Sequence, residues 1–119
     1  PMTPLQLFVI AITLIPLALV LVDKLRADVA ALLTELGACV SLTIDGLMTM
    51  PPPGPTAEAS RSYFRQAREL RDELQAGAPR NAPLRALSMG MSDDYTVAIE
   101  EGATMVRIGR ALLGDRSLQ

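Results

Sequence analysis

Two short segments carry the residue types that could do chemistry. Ser88-Met89-Gly90 and Arg107-Ile108-Gly109-Arg110 each set a hydroxyl or guanidinium donor beside a glycine. That combination suits an anion. Glycine lets the backbone come close and point its N–H at a charged oxygen, Ser88 adds a hydroxyl, and Arg107 adds a charged fork of donors. The same small residues also serve tight turns between strand and helix, so the pattern by itself leaves both uses open. Asp93 and Asp94 follow Ser92 at a helix start, where they complement the helix dipole; Glu100 and Glu101 precede Gly102 with no evident partner. These carboxylates are adjacent rather than convergent, so no metal site is expected.

The missing residue types narrow the chemistry further. The chain has no histidine and no tryptophan, and ten of its eleven basic residues are arginine, with Lys24 alone. Without histidine there is no usual general base, no common zinc ligand and no Ser-His or Cys-His nucleophile pair. Tyr63 and Tyr95 fall on helices, with no place in proton transfer. Cys39 permits no intrachain disulfide, which fits a reducing compartment, and reads as a small core residue rather than a nucleophile. Met48, Met50, Met89 and Met91 lie near strand ends and read as core fillers. A net charge of −2 and the absence of a basic face argue against a nucleic-acid partner.

The elements that would position these residues follow from the hydrophobic pattern. Asp23 can cap a helix with Leu25, Val29, Leu32 and Leu36 on one stripe, stopped by Gly37. Residues 39–50 alternate as a strand and end at the loop of residues 51–55, PPPGP. Thr56 opens a second helix with Tyr63, Ala67, Leu70 and Leu74 facing inward. Its outer face offers Arg65 with Glu69 and Arg68 with Asp72 at i, i+4 spacing. A strand at 84–87, a helix at 92–101, a strand at 105–108 and a last helical turn at 111–114 complete the pattern. Helix and strand alternate as in parallel βα units, so the expected class is α/β. Three units are too few to close a (β/α)8 barrel and make less than half of one, since a full barrel takes about 250 residues.

An apolar leader precedes these units. Residues 5–22 contain no charge over eighteen positions, the lower edge of a membrane-spanning helix at about 27 Å. Pro16 sits inside the run, and Lys24 and Arg26 flank its C-terminal side, which would lie in the cytoplasm if the segment spans. The alternative is a buried strand plus core helix. The expected division is thus an apolar leader, 1–22, before a domain of residues 23–119.

One long stretch is identifiable. Residues 87–116, LSMGMSDDYTVAIEEGATMVRIGRALLGDR, strongly resemble the C-terminal signature of the pyridoxal-phosphate homeostasis protein family (YggS/PROSC type). GLMTMPPP at 46–53 and the Arg-rich helix after it resemble the preceding portion, so the likeness covers about residues 24–119. The resemblance implies an alanine-racemase-like (β/α)8 barrel and a cytoplasmic, non-catalytic protein that binds and delivers pyridoxal 5′-phosphate. It implies that Ser88 holds the cofactor phosphate, that Gly109 approaches it with its backbone, and that Arg107 faces the pyridine nitrogen. Met89, Gly90 and Ile108 belong to the same two motifs, and Arg110 stands where the family usually has threonine. Leu113 stands where phenylalanine is common. Nothing matches the early strand that carries the family's Schiff-base lysine, and Lys24 follows the apolar run instead. Binding is therefore expected to be non-covalent and led by the phosphate. A second expectation, of a different class, is a membrane-anchored or partner-completed fragment that self-associates through open strand edges.

Overall fold

The structure, a computed structural model, describes residues 3–116, apart from the side-chain surroundings of residues 13 and 15–25. It opens with helix α1, Pro4–Gly37. Thr3 caps this helix: its Oγ1 accepts the Gln6 N–H at 3.3 Å while Gln6 Oε1 accepts the Thr3 N–H at 3.1 Å. Pro4 fills the first helical position, where its missing N–H costs nothing. The helix continues through residue 23, so the start expected at Asp23 is replaced by the Thr3 cap. Among the described residues no helix is long and apolar enough to cross a membrane, and much of the 5–22 run lies outside the side chains described.

Gly37 ends α1 for a reason other than a left-handed turn. A Cβ there would lie 2.6 Å from the Pro79 ring, so only glycine lets the helix end pack on that loop. Asn81 Nδ2 donates to the carbonyls of Leu36, Cys39 and Leu42 at 3.3, 3.1 and 3.0 Å, satisfying groups the helix end leaves over. Cys39 is exposed at this corner, not part of a core.

Strands β1, Gly46–Met48, and β2, Ala86–Ser88, pair in parallel with Leu47 opposite Leu87. A third strand segment shrinks to one parallel bridge between Ser88 and Met105. All three strands are shorter than their alternating patterns predict, because backbone pairing needs a neighbour as well as a propensity. Gly46 is required by contact: a Cβ would sit 2.0 Å from the Ala86 carbonyl oxygen. Thr56 leads through a 3-10 turn, Ala57–Ser60, into α2, Arg61–Gln75. Helix α3, Tyr95–Glu100, and α4, Arg110–Leu113, follow β2.

Two apolar clusters hold these pieces together. Phe64, Leu87, Met89, Val97 and Ala98 form one, with Leu47 and Ala67 against it. Leu33 of α1 joins Ala82 and Leu84 in the other, with Ile44 and Leu74 alongside. Phe64 rather than Tyr63 is the buried aromatic of α2; Tyr63 is 43% exposed. Leu87 of β2 and Val97 and Ala98 of α3 meet Phe64, and that contact sets the rotation of the helix.

Candidate functional site

Ser88 ends β2, and the backbone then turns sharply at Gly90, whose φ is +100°. A Cβ at Gly90 would meet the Ala98 Cβ at 2.7 Å, so this glycine serves both the left-handed turn and close packing on α3. Across the bridge the chain runs from Met105 to Arg107, whose N–H donates to the Gly90 carbonyl at 2.9 Å. The two motifs that lie far apart in sequence are thereby joined. Thr104 helps: its Oγ1 accepts the Leu87 N–H at 2.7 Å.

The Arg107 guanidinium spans the end of the sheet. Nη1 donates to Ser88 Oγ at 2.7 Å and Nη2 donates to the Thr49 carbonyl at 3.1 Å. A hydroxyl that accepts from a guanidinium keeps its own proton to give, so Ser88 remains a donor for an anion. Ser88 is buried, which strengthens any charge-assisted bond made there. Thr49 is the site residue that sequence reasoning missed. It contributes a carbonyl, and main-chain groups leave no mark in residue type.

The remaining predicted residues divide. Gly109 is the N-cap of α4, with open space where its Cβ would be, and neither its N–H nor that of Arg110 has an acceptor among the described residues. Ile108, between Arg107 and Gly109, is half-buried. Met89 is turned away: its side chain is fully buried in the core and its N–H is given to the Met105 carbonyl at 3.0 Å. Arg110 reaches Asp93 and lies 3.6 Å from Asp115, so its charge is locally balanced instead of open to an anion. Asp93 and Asp94 do not serve as dipole partners inside a first turn. Asp93 takes Arg110, and Asp94 Oδ1 accepts the Met91 N–H at 2.9 Å just before α3 begins. Ser92 Oγ accepts the Ala111 N–H at 3.0 Å, a second tie between the two turns.

Beneath this end lies a charged cluster that the sequence had left without partners. Glu101 is buried and accepts from Arg61 at 3.0 Å, Arg65 at 3.5 Å and Arg68 at 3.1 Å. The expected Arg65–Glu69 and Arg68–Asp72 pairs are replaced by this convergence, because Glu101 on the neighbouring element offers one buried acceptor to three successive arginines. Hydrogen bonding by Arg61, with Arg65 and Arg68 nearby, holds the Glu101 carboxyl below the ordinary carboxylate range. Glu58, bound by Arg61 at 2.7 Å, is lowered in the same way, and Arg61 is pushed up in turn. Among the described residues no group of three or more His, Cys, Asp or Glu is placed to hold a metal ion.

The residues at the sheet end fit a phosphate: a buried hydroxyl, a fixed guanidinium and two backbone N–H groups beside open space. They offer nothing to an aldehyde, since Lys24 lies within α1 and residues 46–116 contain no lysine. Comparison with known proteins gives the family of the chain. A family model described as alanine racemase, N-terminal domain, matches residues 24–117. The pyridoxal phosphate homeostasis protein of Aquifex aeolicus is 61% identical over 71 residues, which are 60% of this chain and 30% of that protein. The Pseudomonas aeruginosa protein of the same name is 44% identical over 89 residues, 75% of this chain and 36% of that one. The structure of PipY from Synechococcus elongatus with pyridoxal phosphate bound superposes with a TM-score of 0.68 at 44% identity. That match covers 75% of this chain and 42% of PipY. The chain thus spans about a third of the length of the curated relatives it matches.

Proposed function

We propose that this chain, which belongs to the alanine racemase N-terminal-domain family, binds pyridoxal 5′-phosphate non-covalently through its phosphate and acts as a cofactor-binding protein without turnover of its own. The observation that carries the reading is the Arg107–Ser88 bond at the end of β2, followed in the chain by Gly109 and Arg110, whose N–H groups have no acceptor among the described residues. Ser88 and the Gly109 backbone hold the phosphate, and Gly90 shapes the turn that brings Ser88 to it. Arg107, fixed by Thr49 and Ser88, faces the ring. A permanent guanidinium opposite a pyridine nitrogen disfavours protonation there, which suits holding the cofactor better than stabilising a carbanion. When bound, pyridoxal phosphate supplies an aldehyde and an electron-withdrawing ring; this chain places no lysine at the sheet end to engage the aldehyde.

The architecture proposed for residues 23–119 is the last part of a (β/α)8 barrel, a reading supported by the family match that begins at residue 24, with the apolar run of residues 1–22 as a leader that α1 joins to it without a break. A cytoplasmic place of action fits the single, exposed Cys39. Titrating the chain with pyridoxal 5′-phosphate in equilibrium dialysis tests the function: saturable binding that inorganic phosphate displaces is expected. Absence of saturable uptake by the intact chain overturns it.

A further inference from the structure

The pairing across the sheet places three side chains in one row. Met48 is in register with Ser88, and Ser88 is bridged to Met105. Residues paired in register on parallel strands turn their side chains to the same face. The adjacent row, Leu47 with Leu87, points the other way, into the core beneath α2. Met48, Ser88 and Met105 therefore share the face turned away from the helices. Ser88 is 7% exposed, yet Met48 and Met105 on either side of it are 67% and 55% exposed. Arg107, two residues beyond Met105, comes back to the same row through its bond to Ser88 Oγ.

Methionines are usually gap-fillers of a core, and Met89 is one, with none of its surface exposed. Met48 and Met105 belong to neither apolar cluster. Thioether side chains are flexible and polarizable, and they make favourable contacts with aromatic rings. Two of them flanking a hydroxyl–guanidinium pair set an apolar wall on each side of an anion-binding subsite, the arrangement a small ligand with a negatively charged end and a flat ring requires. We propose that Met48 and Met105 form the bed for the planar ring of a phosphorylated aromatic ligand and select such ligands over aliphatic phosphates. The inference rests on the phosphate site proposed above and names the contacts that set its preference.

The test uses the full chain and two probes, pyridoxine 5′-phosphate and glycerol 3-phosphate, measured by calorimetry. Pyridoxine 5′-phosphate has the ring and phosphate but no aldehyde, so it forms no adduct with Lys24. Met48→Ala and Met105→Ala are each expected to weaken pyridoxine 5′-phosphate about three- to tenfold while leaving glycerol 3-phosphate unchanged. Met→Leu at either position should retain most of the affinity. Both side chains are largely exposed, so their truncation opens no core cavity, and unchanged melting temperatures should accompany the loss. Equal affinity for pyridoxine 5′-phosphate in wild type and alanine variants overturns the proposal, as does equal weakening of both probes. So does a change confined to oligomeric state in size-exclusion chromatography. Ser88→Ala should weaken both probes. If the wild-type chain binds neither, the phosphate site itself is refuted and this inference falls with it.

Discussion

At the scale of single residues, the site is organised by one guanidinium. Arg107 donates to a side-chain hydroxyl and to a main-chain carbonyl at once, so its fork is fixed before any ligand arrives. Arg107→Ala should weaken binding of pyridoxal 5′-phosphate by at least about tenfold, the worth of one hydrogen bond to a charged group. Ser88→Ala should cost about tenfold as well, with the fold intact by circular dichroism. Equilibrium dialysis reads both. Glu101 gives a pH prediction. Its carboxyl is held low in the folded state by Arg61, Arg65 and Arg68, so its contribution is complete above the ordinary carboxylate value of about 4.3 and is lost as pH falls through the lowered folded value. Thermal unfolding followed from pH 7 to pH 3 should show a falling melting temperature below about pH 4.3, and Glu101→Gln should flatten that limb while lowering stability at pH 7.

At the scale of elements, the short strands work because helices and turns back them. α2 buries Phe64 against Leu87 and the α3 residues Val97 and Ala98, so the sheet end that carries Ser88 rests on a packed helix pair. Phe64→Ala should destabilise the fold by about 3–5 kcal/mol in urea unfolding. Gly90→Ala strikes the turn itself: alanine would have to adopt a φ of +100° with its Cβ 2.7 Å from Ala98. A loss of about 2 kcal/mol is expected from the same measurement. The salt-bridge cluster on Glu101 ties α2 to the end of α3, and the Arg110–Asp93 and Ser92–Ala111 contacts tie the two turns of the site to each other.

At the scale of the whole molecule, the shape is open. The radius of gyration is 18.5 Å, against about 13–14 Å for a compact domain of this length. Its extents of 54 × 46 × 29 Å leave large apolar side chains in water, among them Val40 at 92% and Leu113 at 82% exposed. The outer edge of β1, which no other described strand covers, is a template for further pairing. Self-association is therefore expected, and size-exclusion chromatography with light scattering should return a mass above that of one chain. A sharp monomer peak stable over a range of concentrations would contradict it.

The residue types and their order determined a good deal by themselves. Parallel βα alternation, the exclusion of histidine chemistry, and the two donor-plus-glycine motifs are local properties, legible because periodicity and turn chemistry act over a few residues. The family likeness over about residues 24–119 was legible for the same reason, since its motifs are continuous. Tertiary structure decided which donors meet. It joined Ser88 to Arg107 and added the Thr49 carbonyl, it turned Met89 inward and left Met48 and Met105 outward, and it gave Arg110 to Asp93. It gathered three arginines onto Glu101, a residue that had seemed alone. It also replaced the capped start at Asp23 by a helix running from Pro4 to Gly37. Each of these depends on groups brought together from distant parts of the chain, and the energy of such a contact is a function of distance in space, which spacing along the sequence does not contain.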